Sequence, residues 1–347
     1  MRIKLLTALC ILATFSCHAN EEAVEKPPFR LSGWREVIVS VSDLAQHTLF
    51  FQQLAGWEQR YNGRLNRKQL SGWNLGQNAQ GTEILVANKG SNTGYIRLVQ
   101  FHDVEQQQIR SNDQSWDSGG ILDINVRVTD MQKKFKQLQA QDWQADSDPV
   151  SFEFGPFSVT EWITRGPDGL SFALIERHKP ALEGWPNLKE LSRAFNSTQV
   201  VADMEPSRHF YMDVLGFKKY LYHKGASKNP SPNVLGIPIN LSTEIKREVW
   251  VLHPQGINEG SVELLAFEGL QGRDFYDSSN PPNLGNLMLR FPVRGIGALA
   301  THLALNGIAL ENPISTLEMP PYGKVKRFAV RAPNGTWLEF FEEVGLK

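Results

Sequence analysis

Asp203–Phe217 reads DMEPSRHFYMDVLGF. Val200 and Val201, just before it, end a strand; Asp203 turns the chain, and a helix follows. An aspartate immediately ahead of a helix caps free backbone N–H groups. Pro206 suits a first helical turn because it has no N–H to lose, and Gly216 suits a left-handed C-terminal stop. Phe210, Tyr211 and Val214 supply the apolar stripe. The same pattern occurs earlier at Asp43–Trp57, DLAQHTLFFQQLAGW, again with an aromatic after the glycine. Weaker copies begin at Asp130 (DMQKKFKQLQAQDW) and Val293 (VRGIGALATHLALNGI). One supersecondary unit, repeated four times, organises the chain.

Outward from each copy the order is the same: strand, helix, then three strands. In module one, Glu36–Val41 alternates so that Val37, Val39 and Val41 share a face and should pack on the helix. Strands near Gln69–Leu75, Glu83–Asn88 and Tyr95–Phe101 follow, separated by Gly and Asn turns. Module two runs from Leu122 through Leu170–Glu176, and its last strand follows a Pro167-Asp168-Gly169 turn. Module three covers Phe195–Phe267 and carries a long polar insertion, Gly225–Thr243. Module four covers Asn286–Glu343. The Pro- and Gly-bearing stretch His178–Leu188 reads as a linker. A single unit of this kind has open sheet edges, so two must pair into a curved mixed sheet with helices outside. Two pairings satisfy this, within each half of the chain or across the halves.

The 347 residues are enough for two domains with separate cores. Lys+Arg 36 balances Asp+Glu 37, with no basic patch, which argues against nucleic acid as a partner. Arg2 and Lys4 precede the short apolar run Leu5–Phe15, as in a secretory leader. Cleavage after Ala19 would release a periplasmic protein. Alternatively Ala13-Thr14-Phe15-Ser16-Cys17 resembles a lipobox, which would tie the chain to the membrane only through an N-terminal lipid. Both cysteines, Cys10 and Cys17, fall in this leader, so the mature chain has no disulfide, cysteine nucleophile or thiolate metal site. No P-loop, dinucleotide fingerprint, nucleophile elbow or zinc-protease helix is present.

Val41-Ser42-Asp43 with Phe50-Phe51 and Leu54-Ala55-Gly56-Trp57 recurs as Ala202-Asp203 with Phe210-Tyr211 and Leu215-Gly216-Phe217. Gly166-Pro167-Asp168-Gly169 and Ala332-Pro333-Asn334-Gly335 precede the closing strands of modules two and four. In these features the chain resembles the vicinal oxygen chelate superfamily, which includes glyoxalase I, extradiol dioxygenases and bleomycin-resistance proteins. The resemblance implies an α+β fold of four βαβββ modules paired into two glyoxalase/bleomycin-resistance-like domains. The expected layout is a leader at 1–19, a tether at 20–31, domain one at 32–178, a linker at 179–192 and domain two at 193–347.

The resemblance also implies a cup in each domain with a divalent metal held by the first and last strands of each module. The first-strand position lies seven residues ahead of the helix-starting aspartate, which selects Glu36, Asp123 and Asn196; a Gly-Asn-Leu match adds Asn286. The last-strand positions carry Arg97, Ala173, Glu263 and Glu339. Glu263 lies between Val262 and Leu264, and Glu339 between Leu338 and Phe340, so each should face away from the helices. Glu36, Arg97 and Asp123 put a guanidinium among two carboxylates, which favours an ion-pair network over a metal. Glu263, Glu339, Asn286 and Asn196 are four oxygen donors suited to a hard ion, Mn, Mg or Ca; the alternative is a polar pocket without an ion. Histidine is missing from all these positions, which disfavours an extradiol dioxygenase. His223, Trp250 and His253 on module-three strands are candidates to line a pocket, whereas His47, His209 and His302 fall on helices and should be surface residues. Two functional classes follow: an exported binder of a small polar molecule with degenerate metal sites, or a metal-dependent lyase or isomerase using the C-terminal cup.

Overall fold

The computed structural model describes residues 27–345; the expected leader, with Cys10 and Cys17, lies outside the described residues. Before module one, Arg30–Leu31 (β1) forms a short strand inside what reads as tether. Module one is β2 (Glu36–Ser40), α1 (Leu44–Gln53), β3 (Trp57–Arg64), α2 (Arg67–Ser71), β4 (Gln80–Asn88) and β5 (Tyr95–His102). Module two is β6 (Asp123–Arg127), α3 (Met131–Gln139), β7 (Val150–Phe154), β8 (Phe157–Arg165) and β9 (Ser171–Lys179). Module three is β10 (Asn196–Val200), α4 (Met204–Arg208) with a π-helical continuation His209–Val214, β11 (Lys218–Gly225), β12 (Lys246–His253) and β13 (Ser261–Glu268). Module four is β14 (Gly285–Arg294), α5 (Ile296–Leu305), β15 (Ser315–Glu318), β16 (Lys324–Arg331) and β17 (Trp337–Glu343).

The helix starts follow the capping chemistry. Asp43 accepts from the N–H groups of Ala45 (2.8 Å) and Gln46 (3.1 Å), Asp130 from Lys133 (2.9 Å) and Asp203 from Glu205 (3.0 Å). Gly56 and Gly216 take φ of 70° and 72°, the left-handed stop that glycine supplies without strain. Module four departs from the pattern. Its helix is led by Gly295, and the Glu342 carboxylate accepts that glycine's N–H at 2.6 Å in place of a capping side chain.

The sheets are built across the halves. One runs β15-β16-β17-β14-β2-β5-β4-β3, with β1 on β14; the other runs β11-β12-β13-β10-β6-β9-β8-β7. Antiparallel pairing of first strands, Glu36 with Arg290 and Thr198 with Asp123, joins module one to four and two to three. Modules two and three are consecutive, and consecutive elements tend to be neighbours in space; the outer two modules then close on each other. Residues 32–178 and 193–347 are therefore not separate sheets.

The strand alternation shows in the cores. Val37, Val39, Leu98, Ile124, Val126, Leu174, Val262, Leu264 and Leu338 share one cluster with helix residues such as Phe51, Met131, Phe210 and Leu299. This core lies on the convex side of both sheets. The concave faces carry two separate clusters, one around Ile38, Trp73, Met288 and Ala329, the other around Leu122, Ile163, Ala173, Val251 and Leu265.

Candidate functional site

The first cup, built by modules one and four, is full. Glu83, Arg97, Glu36, Arg290, Glu339 and Arg327 form an unbroken chain of alternating charge, all of it buried. Arg97 pairs with Glu36 (2.8 Å) and Glu83 (3.0 Å), Arg290 bridges Glu36 and Glu339 (2.6 Å to the latter), and Arg327 meets Glu339 at 2.8 Å. Neutral partners complete the set. The Tyr322 hydroxyl donates to Glu36 (2.9 Å), Trp73 Nε1 to Glu339 (2.8 Å), and Arg327 Nη2 to the carbonyls of Lys68 and Gln69. Burial opposes ionisation of Glu36, but Arg97 and Arg290 outweigh it and hold the carboxyl at a pKa of about 2. Burial likewise opposes the charge on Glu339, which Arg290, Arg327 and the Trp73 bond keep below the ordinary carboxylate value. Helix α2 and Trp73 close the cup's mouth, with Lys68 Nζ reaching Thr316 O on β15 at 3.0 Å.

The second cup, built by modules two and three, is open. It encloses a cavity of about 580 Å3, inside the usual range for small-molecule sites. Alternate residues of the central strands form its floor: Asp123, Asn125 and Arg127 on β6, Asn196 and Thr198 on β10, Glu263 on β13 and Glu161 on β8. Phe152, Phe154, Phe157, Val249, Val251 and Leu265 supply apolar walls. Edge strands β7 and β11 lean together across the mouth, where the rings of Phe154 and His223 are 5.3 Å apart. The Gly225–Thr243 insertion adds Ala226–Lys228 and Ser231–Leu235 to the rim.

Electrostatically this floor is the reverse of the first cup. No hydrogen bond of good geometry reaches either carboxyl oxygen of Asp123 or Asn196 Oδ1, although the Thr198 hydroxyl on the paired strand is near enough to favour the ionised Asp123. Burial raises Asp123 to about 7. It also raises Glu161 and Glu263 to about 8, with mutual repulsion among the three carboxyls adding to the effect. On the same wall the Nε atoms of Arg127 and Arg177 are unpartnered. Arg127 lies over the Phe195 ring at 4.3 Å and Arg177 over Phe157 at 4.2 Å.

Of the expected site residues, Asp123, Asn196, Glu263 and His223 meet in the open cup, while Glu36, Arg97 and Glu339 belong to the filled one. Asn286 joins neither group. A register shift between Asn286 and Met288 puts Met288 opposite Ile38 and Arg290 opposite Glu36, and the Asn286 amide donates to Ser171 O at 3.2 Å. Trp250 points to the other face of β12, where its ring lies tilted against Tyr222 (4.5 Å) and its Nε1 donates to Glu248 (2.9 Å). His253, at the end of β12, is a buried packing residue. Its Nδ1 accepts from Gln255 N at 2.9 Å, and burial drops its pKa to about 4. His47 is buried rather than exposed, bonded to Asp43 O at 2.9 Å, and His302 Nε2 bonds Val214 O at the same distance. Glu161, Arg127 and Arg177 were missed, although strand alternation alone would have turned each of them inward.

No protein-family model matches the chain, and no curated protein does. Solved structures do share the architecture. Glyoxalase I from Zea mays superposes with a TM-score of 0.58 at 13% identity, covering 91% of this chain and 92% of that one. A putative dioxygenase from Bacillus subtilis superposes with a TM-score of 0.55 at 11% identity, covering 91% of this chain and 86% of that one. The fold is that of the vicinal oxygen chelate superfamily. As a vicinal oxygen chelate fold, the chain has two cups in which the implied metal can be tested against the residues present, and neither fits. In the filled cup Arg97 and Arg290 occupy the centre. In the open cup Ala173 offers no donor, and among the described residues no three His, Cys, Asp or Glu side chains converge as an ion requires. Glu263 on β13 and Glu339 on β17 lie in different sheets, so the expected set of Glu263, Glu339, Asn286 and Asn196 is not assembled around one point.

Proposed function

We propose that this vicinal oxygen chelate protein binds a small polar molecule in the cup of modules two and three, and that the leader exports it to the bacterial envelope. The carrying observation is the contrast between twin cups. One is closed by a complete ion-pair chain, while the other keeps an accessible cavity on whose floor the buried Asp123 carboxyl and Asn196 Oδ1 lack a hydrogen bond of good geometry. A buried carboxyl without a hydrogen bond is costly, and a ligand that completes it recovers that cost. Fragment screening by saturation-transfer NMR tests the reading. Polar fragments should give signals in the native chain that disappear in Val249→Trp, which fills the cavity, and persist in Trp73→Phe, which alters only the other cup. Binding that ignores Val249→Trp, or no binding at all, refutes it. Export is tested separately by fractionating cells that express the full chain.

A further inference from the structure

The open cup holds two groups of unpaired charge-bearing side chains of opposite sign. Asp123 and Glu263 flank Thr198 in one row and repel each other, Glu161 adds to that repulsion from further along the wall, and no hydrogen bond holds Glu161 or Glu263. Arg127 and Arg177 also sense each other, and each is braced by an aromatic face rather than by a carboxylate. In the first cup carboxylates and guanidiniums of equal number have found each other, with Arg97–Glu36, Arg97–Glu83, Arg290–Glu339 and Arg327–Glu339 at 2.6–3.0 Å; in the second, among the described residues, Arg127 and Arg177 form no ion pair with the acids they share the cavity with. The backbone explains the separation. Asp123 and Arg127 are four positions apart on β6, about 13 Å along a strand, and Glu263 stands in the Asp123 row across Thr198, whereas Glu161 stands in the Arg127 row across Ile175 and attracts that arginine without forming an ion pair.

Resting on the pocket reading above, we propose that the ligand is zwitterionic: a protonated amine seated between Asp123 and Glu263, a carboxylate or phosphate seated on Arg127 and Arg177, and an apolar or aromatic middle against Phe152 and Val249. An ammonium supplies three donors to carboxyls that have none, and an oxyanion answers guanidiniums in their preferred geometry. A ligand with only one of these ends leaves the other group desolvated and unpaired.

Three probes test this by NMR titration at pH 8.5 and low ionic strength: 4-phenylbutylamine, 4-phenylbutyrate and 4-(4-aminomethylphenyl)butyrate. The amine should bind, and its affinity should fall at least tenfold in Glu263→Gln and stay within twofold in Arg177→Gln. The carboxylate should show the opposite pattern, and the compound with both ends should bind at least tenfold tighter than either half. If only one half binds, or both halves respond to the same variants, the zwitterion assignment is overturned. If all three probes fail while fragments displaced by Val249→Trp still bind, the assignment falls and the pocket stands. If no such fragment exists, the pocket reading falls as well.

Discussion

Glu36→Gln should destabilise the protein by about 3 kcal/mol at pH 7, and most of that loss should vanish in acid. The substitution keeps the size of the side chain and removes its charge. Arg97 would keep Glu83 and the Pro320 carbonyl, and Arg290 would keep Glu339, but both would face a neutral amide where they now share a carboxylate. Removing one partner of a buried ion pair costs about 3–5 kcal/mol. The proton equilibrium gives a similar figure independently. Glu36 is moved from 4.5 to about 2 by its arginines, against the opposing effect of burial; at about 1.4 kcal/mol per pH unit this is worth about 3 kcal/mol. The folded-state value lies below the unfolded one, so this stabilisation is complete above pH 4.5 and drains away as the pH falls towards 2. Urea denaturation followed by tryptophan fluorescence, repeated from pH 7 to pH 2.5, reads both quantities. The native chain should lose stability steeply below pH 4.5, while the variant starts lower and falls less. A variant within 1 kcal/mol of native at pH 7, or two parallel acid limbs, would show that the alternating charge chain is not what holds this cup.

The open cup should respond to pH in the opposite sense. Glu263 has a folded-state value raised to about 8 by burial and by Glu161 and Asp123, so its contribution is intact below pH 4.5 and is lost as the pH rises through 8. Glu263→Gln should therefore gain stability over native at pH 8.5 and match it near pH 5 in the same urea assay. Gly72→Ala should cost about 2 kcal/mol or more, because a Cβ there overlaps the Arg327 guanidinium held by Glu339. Gly76→Ala, which meets open space, should be near neutral in thermal melts and serves as its control. Trp73→Phe removes a donor to a buried carboxylate at 2.8 Å and should cost about 1.5–3 kcal/mol, with fragment binding in the other cup unchanged by NMR.

The repeated strand–helix–strands unit was legible because its signals are local. A capping aspartate, a glycine stop and an alternating strand need only their chain neighbours, and Asp43, Asp130, Gly56 and Gly216 do what their spacing implies. Side-chain parity was equally legible: Val262 and Leu264 turn to the helices and Glu263 to the cup. The grouping of those inward residues was not, because it depends on which first strands pair, and each module carries an equally good edge for the others. Module one closes on module four, which brings Arg290 and Glu339 onto Glu36 and Arg97 and parts Glu339 from Glu263. The bulge after Asn286 moves the register by an amount no pattern match detects. The sequence alone thus determined the repeated unit, the alternation and the faces. Only the tertiary structure decided which charges cancel and which remain open to a ligand, because electrostatic pairing acts between residues as distant as Glu36 and Arg290, 254 positions apart, over a few ångströms that only the closed sheets create.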